Sequence, residues 1–254
     1  MADEVLVSID DGVMLVTINR PKAKNSVNLA VAKGIAQAME DLDGNADIRA
    51  AILTGAEGSF CSGMDLKAFV TGELPMIEGR GFAGLVEAPP RKPLIAAVEG
   101  YALAGGFELA ISCDLIVSAA NAKFGIPEVK RGLVAGAGGL LNLPRQIPRR
   151  VAMELALTGD AIDADRAYAL GLINRVVEPG QALAEARALA AKIAANGPMA
   201  VLASKQIMRE SAEWSAQELF SKQNEIALPV FASEDAIEGA TAFAEKRPPN
   251  WKGR

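Results

Sequence analysis

The chain has 254 residues, half of them hydrophobic and only 22% charged, which suits one sizeable buried core with at most a small appended region. A net charge of −5 argues against a surface built to bind duplex nucleic acid, and two cysteines, Cys61 and Cys113, are too few for a disulfide framework. Histidine is absent, which removes Ser-His-Asp and Cys-His nucleophiles and His-ligated zinc, so proton transfer falls to carboxylates, Lys, Tyr, Cys or water. No basic and apolar leader opens the sequence, and the longest apolar runs are too short to span a bilayer, so the chain reads as soluble and cytoplasmic.

In chain order, Glu4 to Ile9 and Val13 to Asn19 flank Asp10-Asp11-Gly12, the pattern of a β-hairpin, and Arg20-Pro21 ends its second strand. Asn28 is placed to cap a helix whose apolar positions, Leu29, Ala32, Ile35, Ala36, Met39 and Leu42, recur at helical spacing up to Gly44. Ala50 to Thr54 is a short apolar strand, after which Phe60 to Lys67 turns through Gly63 toward a helix. Residues 71–92, with Gly, Pro and mixed charge, read as a mobile loop holding a short helix.

The stretch Leu94 to Asp114 is the most informative. A buried-strand run, Leu94 to Val98, passes through Gly100, Gly105 and Gly106 into a helical pattern at Phe107, Leu109, Ala110 and Ile111. Such a turn leaves free N–H groups at the helix start with the positive dipole end behind them. Glu108 lies one turn in, on the same side. Two separate strand ends, near 60 and near 98, thus run through glycine into a helix. If the strands are neighbours, the N–H groups of Met64 and Gly105 can converge on one oxygen.

Farther on, Asp114 to Ser118 is strand-like, and Pro127 biases Ile126 away from helix and leaves Glu128 in a loop. The glycine-rich stretch 132–139 lacks the Gly-Lys-Ser/Thr ending of a phosphate loop and is a close-packed turn ahead of a helix from Gly139 to Gln146. Helices follow from Pro148 to about Thr158 and from Ala164 to Leu170, then a strand from Leu172 to Val177. The remainder is helical: Gln181 to Ala195, Pro198 to Ala212, Ala216 to Phe231 and Glu234 to Glu245. Terminal helices of this kind wrap back on the core or pack on another subunit.

The sequence resembles the crotonase superfamily, the enoyl-CoA hydratase/isomerase proteins, over essentially its whole length. The resemblance rests on NRPKAKN (19–25), FCSGMDLKAF (60–69), KPLIAAVEGYALAGGFELAISCDL (92–115), AKFGIPEVKRGLVAGAGG (122–139) and EDAIEGATAFAEKRPPNWKGR (234–254). FAGL (82–85) and the C-terminal ending are also similar to the carnitinyl-CoA dehydratases within that superfamily.

The resemblance implies an α/β fold, a spiral of repeated ββα units over residues 1–195 that carries the active site. It also implies a helical region, 196–254, for trimerisation and CoA contact, with hexamers built as two stacked trimers. It implies an acyl-CoA thioester substrate within lipid metabolism and no cofactor beyond the coenzyme A of the substrate, with no metal; the net charge and the short apolar runs argue against a nucleic-acid or membrane partner. By position, the N–H groups of Met64 and Gly105 form an oxyanion hole, and Glu108 and Glu128 fall on the two catalytic carboxylates, Glu108 activating water and Glu128 protonating C2. CoA contacts fall on Ala23, Lys24, Met64, Asp65, Leu66, Lys67 and Gly105, with Phe243 and Lys246 reaching from a neighbouring subunit, and residues 71–92 line the acyl end. With both acids in place, hydration is favoured over double-bond isomerisation; the alternatives are a carnitinyl-type dehydratase, an isomerase, or a CoA-thioester binder without turnover.

Three departures from the family pattern carry expectations. Ala104 replaces the first glycine of a triplet, and its methyl should restrict φ to ordinary values. Ala135 stands where proline is frequent, softening the 132–139 loop. Ile126 makes the surroundings of Glu128 more apolar, which should raise the pKa of that carboxyl.

Overall fold

In the computed structural model, residues 3–254 are described. β1 (Val5–Asp10) and β2 (Val13–Ile18) pair antiparallel through Asp11 and Gly12, both at positive φ, as a tight hairpin turn requires. A short 3-10 turn, Pro21–Ala23, then leads to α1 (Leu29–Gly44), where Asn28 accepts a hydrogen bond from the Val31 N–H at 2.9 Å.

From there one pattern repeats. β3 (Ala50–Gly55) passes through Cys61 and Met64 into α2 (Leu66–Val70). After the two-residue strands β4 (Met76–Ile77) and β5 (Gly81–Phe82), β6 (Leu94–Val98) passes through β7 (Tyr101–Leu103) into α3 (Gly105–Ser112). β8 (Leu115–Ala119) passes through β9 (Lys123–Gly125) into a 3-10 helix, Pro127–Arg131. Then follow α4 (Gly139–Gln146), α5 (Arg149–Thr158), β10 (Ile162–Asp163), α6 (Ala164–Ala169), β11 (Arg175–Val177), α7 (Ala182–Ala194), α8 (Pro198–Glu210), α9 (Leu219–Phe231) and α10 (Glu234–Glu245).

The first strand of each unit joins a six-stranded sheet of order β1-β2-β3-β6-β8-β11, parallel beyond the opening hairpin. The second strands form another layer, β10-β9-β7, extended by single bridges from Ala102 to Cys61 and from Met64 to Val27. This is the spiral of ββα units expected from the sequence. Strands β3 and β6 are buried almost throughout, because the parallel sheet is covered on both faces. The main core holds Ile35, Met39, Leu53, Phe60, Phe107 and Phe124, with the last two rings edge-to-face at 5.8 Å. On the other face Ile52, Ile95 and Val117 meet Ala182, Ala186 and Ala190 of α7, a stripe of small side chains that lets the helix lie close to the sheet.

The structure departs from expectation in three places. Residues 71–92 contain no helix; they form the β4–β5 hairpin, with Phe82, Ala83 and Leu85 buried and Arg80 bonded to the carbonyls of Gly84 and Ala88. Two-residue strands carry no readable periodicity. The strand expected from Leu172 begins only at Arg175, because Leu172 and Ile173 insert into the core from a turn. Glu128 sits on a 3-10 turn rather than in a loop.

The last three helices expose large apolar side chains, among them Met208, Phe220, Phe231 and Phe243. They are tied to the core by polar anchors. Lys205 Nζ on α8 lies 2.5 Å from Asp114 Oδ2 and donates to the Lys92 carbonyl at 2.8 Å, and burial lowers its pKa. The Trp251 indole N–H donates to the Ala195 carbonyl, and Asp235 accepts from the N–H groups of Lys252 and Gly253, fastening α10. Because the lysine side chain is only 9% exposed, Lys205→Ala leaves Asp114 short of one buried partner. It is expected to cost about 2–4 kcal/mol in a urea or thermal unfolding measurement.

Candidate active site

β3 and β6 are adjacent and parallel, pairing from Ala51↔Leu94 to Thr54↔Ala97, so the turns that leave them emerge side by side. The two turns touch. A Cβ placed on Gly63 would lie 2.7 Å from the Ala104 methyl and 3.0 Å from the Gly105 nitrogen, so only glycine, at φ 96°, allows the approach. Gly105 in turn backs onto the Phe82 ring, where a Cβ would stand 2.5 Å from Cζ.

The bridge between Val27 and Met64 is made by the Val27 N–H donating to the Gly63 carbonyl (2.8 Å) and the Asp65 N–H donating to the Val27 carbonyl (2.9 Å), which bypasses the Met64 N–H. The Gly105 N–H is the first of α3 and has no partner inside the helix. The two turns that carry the N–H groups singled out in the sequence therefore touch at Gly63 and Gly105, at the start of α3.

Ala104 overturns the expectation of an ordinary φ: it sits at φ 52°, ψ −132°. Its N–H is fixed to the Gly125 carbonyl at 2.9 Å, and its own carbonyl accepts from the N–H groups of Phe107 and Glu108, so the backbone is held from both sides. The strain is stored where the chain turns into α3.

Glu108, on the first turn of α3, is 2% exposed. Its Oε1 accepts from the Gly139 N–H at 2.8 Å. Burial pushes its carboxyl up to about 7, with the nearby Glu128 charge adding to the rise and the N–H groups of Gly139 and Ala137 opposing it. Glu128 is half-buried and its pKa is also raised, chiefly by burial, in line with the apolar Ile126 beside it; Arg131 opposes the rise. The Oε2 of Glu128 is buried and bonded to no protein group. Two acids of raised pKa, one with a buried oxygen that bonds no protein group, can exchange protons with a ligand.

Glu128 and Gly139 border an apolar cleft of about 450 Å³. Its walls come from the 3-10 helix, the 132–139 loop, α4 and α5, and include Ile126, Ala135, Leu140, Leu143 and Met153. Residues 71–92, expected to line the acyl end, contribute nothing to these walls; their part is the Phe82 ring behind Gly105. Gly139 was missed in the sequence as a site residue. Its only signal was membership of a glycine-rich stretch, but a Cβ there would lie 2.9 Å from Glu108 Oε1.

The remaining candidates form a continuous strip. Lys24, at φ 54°, closes the turn after Ala23, and its carbonyl accepts from the Ser62 N–H. That bond joins the 21–25 turn to the segment carrying Met64. Asp65 is held by Arg20 at 2.8 Å and caps α2 by accepting from the N–H groups of Lys67 and Ala68, which keeps its carboxyl below the usual range despite partial burial. Its carboxylate thus positions the strip from within. Leu66, Lys67 and Lys24 are exposed. Phe243 is 87% exposed on α10, and Lys246 ends that helix at φ 56°. Neither lines the cleft.

Comparison with known proteins agrees with this arrangement. The sequence profile of the enoyl-CoA hydratase/isomerase family matches residues 8–254. The crystal structure of enoyl-CoA hydratase EchA1 from Mycobacterium marinum superposes with a TM-score of 0.98 at 62% identity, covering 99% of this chain and 100% of that one. Enoyl-CoA hydratase EchA19 from Mycobacterium tuberculosis is 44% identical over 99% of this chain and 97% of its own length. Carnitinyl-CoA dehydratase from Proteus mirabilis is 40% identical over the full length of both. The chain belongs to the enoyl-CoA hydratase/isomerase family.

Because Ala104 carries a side chain at a positive φ, Ala104→Gly is expected to relieve strain and stabilise the fold by about 1 kcal/mol in reversible unfolding. A loss of stability on that substitution would show that the methyl packing against Gly63 outweighs the strain.

Proposed function

We propose that the protein is an enoyl-CoA hydratase, adding water reversibly across the C2–C3 double bond of a 2-enoyl-CoA thioester. The observation that carries the reading is the pairing of two carboxylates of raised pKa, Glu108 one turn into α3 behind the Gly63–Gly105 contact and Glu128 on an apolar cleft. The thioester oxygen accepts hydrogen bonds from Met64 and Gly105, which stabilise the enolate that forms as water attacks C3. Each such donor is worth ~3–4 kcal/mol in the transition state.

Glu108 takes the proton of the attacking water, and Glu128 delivers a proton to C2. The division of roles is supported by the partners of each acid. Glu108 Oε1 accepts the Gly139 N–H, which favours its charged form against the burial that raises its pKa, and the Oε2 of Glu128 bonds no protein group and is open to a proton on its way to C2. Run backwards, the same groups dehydrate a 3-hydroxyacyl thioester.

The CoA lies along Ala23, Lys24 and Met64 to Lys67, with Phe243 and Lys246 supplied by a neighbouring subunit of a trimer, itself paired into a hexamer. The apolar surface of α8 to α10 supports that assembly. The reading requires no cofactor besides the CoA of the substrate, and it places the protein in the cytoplasm; the free thiols of Cys61 and Cys113 are in keeping with that. A carnitinyl-type dehydratase is the second reading, favoured by the 40% identity to a protein of that name.

Turnover of crotonyl-CoA should collapse by about 10² or more in Glu108→Gln and in Glu128→Gln. The roles separate in solvent-deuterium exchange at C2 of butyryl-CoA, which should survive in Glu108→Gln and vanish in Glu128→Gln. Equal loss in both would overturn the division of labour.

A stability measurement gives an independent readout. A carboxyl raised from 4.5 to about 7 in the folded state supports folding fully below pH 4.5, and that support is lost as pH rises through 7. Glu108→Gln escapes the loss, so it should be inactive yet more stable than the wild type at pH 8, by on the order of 2–3 kcal/mol.

A further inference from the structure

We propose that Arg20 is a positioning residue for the reaction: it stands at the head of a hydrogen-bond chain that ends on the Met64 N–H and aims that group at the thioester oxygen. The inference rests on the hydratase reading of the site and adds to it a residue that acts without touching the substrate.

The chain runs through two peptide groups. Arg20 Nη1 donates to the Ser26 carbonyl at 2.7 Å. The N–H of that same peptide group, on Val27, donates to the Gly63 carbonyl at 2.8 Å. The N–H of the Gly63 peptide group is that of Met64. Carbonyl and N–H point opposite ways across a trans peptide, so the Val27 bond turns the Met64 N–H away from residues 20–27, as donation to a ligand requires. Every bond in the chain runs in one direction, outward from a fixed positive charge. Each carbonyl that accepts makes its own N–H a stronger donor, by roughly 10–30% per bond.

The head of the chain is held in place. The Arg20 side chain is 17% exposed, and its other polar contacts lie within the protein. Nη2 donates to Asp65 Oδ2 at 2.8 Å, Nη1 reaches Ser26 Oγ at 3.3 Å, and Nε lies 3.3 Å from Glu4 Oε1. A guanidinium so occupied is better suited to fixing backbone than to meeting a phosphate. The Arg20 main chain is fixed as well: its N–H donates to Asn25 Oδ1 at 2.9 Å, and its carbonyl accepts from the Asn25 N–H at 2.9 Å. Asn25, fully buried at φ 55°, donates from Nδ2 to the carbonyls of Ala56 at 2.9 Å and Ser59 at 2.6 Å. It thereby ties this turn to the segment that leads to Met64. Asp65, the residue after Met64, caps α2 with its other oxygen, so the Met64 turn is gripped from both sides.

The test separates turnover, binding and the hydrogen bond itself. Wild type, Arg20→Met and Arg20→Lys are compared in kcat with crotonyl-CoA, in the dissociation constant of butyryl-CoA and in melting temperature. The fourth readout is the infrared C=O stretch of bound butyryl-CoA that carries an isotope label at the thioester carbonyl. That stretch falls when N–H groups polarise the carbonyl. Arg20→Met should lower kcat by about 10–100-fold. It should leave the dissociation constant near its wild-type value and move the stretch back toward that of the free thioester. Arg20→Lys, which restores the charge without the planar fork, should fall between the two. It carries the test where Arg20→Met does not fold.

A lower melting temperature with kcat and the stretch at wild-type values overturns the inference, since Arg20 is then structural only. A higher dissociation constant with kcat unchanged overturns it too and assigns Arg20 to the CoA. A wild type that turns over no enoyl-CoA yet lowers the stretch sinks the hydratase reading alone, and the stretch in the variants still decides the role of Arg20. A wild type that does neither sinks both.

Discussion

Everything in the site depends on the contact between two backbone turns, at Gly63 and at Gly105. The turns meet because their strands, β3 and β6, are neighbours in a parallel sheet, and parallel neighbours deliver their exits to the same edge. They meet closely enough because neither residue carries a Cβ; one placed on Gly63 would collide with Ala104 and crowd the Gly105 nitrogen. The bridges Val27↔Met64 and Cys61↔Ala102 then lock both turns in register, and the Met64 N–H is left out of those bonds. The N–H groups of Met64 and Gly105 are thereby left unused by the fold on two turns in contact. Such preorganised donors need little rearrangement when charge develops on a bound oxygen.

Around that contact the fold accepts unfavourable features that a purely structural protein would avoid. An alanine is held at positive φ, a carboxyl is buried with its pKa up to about 7, and another keeps a buried oxygen without a protein partner. These features lie on α3, the turn that opens it, and the 3-10 helix that follows β9. They persist because the surrounding structure over-determines them: both faces of the six-stranded sheet are covered, and α3 is buried for most of its length. The bond from the Gly139 N–H to Glu108 shows how local the compensation is, since it comes from the next helix start rather than from a cation.

Much of this was legible in the sequence, and the boundary is physical. Long periodic segments announced themselves: α1 with its Asn28 cap, and α10, whose cap is Ser233. The glycine turns and the acid at Glu108 were visible because glycine and first-turn carboxylates have local meaning. What was hidden depends on contacts across the chain. Gly139 looked like one of several glycines in a turn until Glu108, thirty-one positions earlier, was seen on its N–H. The β4–β5 hairpin was hidden because each strand is too short to alternate. The positive φ of Ala104 was misjudged because residue type suggested ordinary backbone, whereas hydrogen bonds to Gly125 on one side and from α3 on the other dictate otherwise.

The backbone turns and the walls of the apolar cleft are built from different parts of the molecule. Met64, Gly105 and Glu108 sit on or next to strand-to-helix turns of the spiral, and Glu128 on the corresponding turn after β9. The cleft walls come mostly from α4 and α5, which lie outside the repeated units. A substitution on α5 can therefore reshape the cleft without touching the N–H pair or the carboxylates. That separation gives a physical reason why relatives at about 40% identity are named for the dehydration of one acyl group and others for the hydration of enoyl thioesters. Adding and removing water is one reaction at one set of atoms, so the names divide at the acyl group. In this chain the cleft walls beside Glu128 are aliphatic, with a single arginine, Arg149, among them.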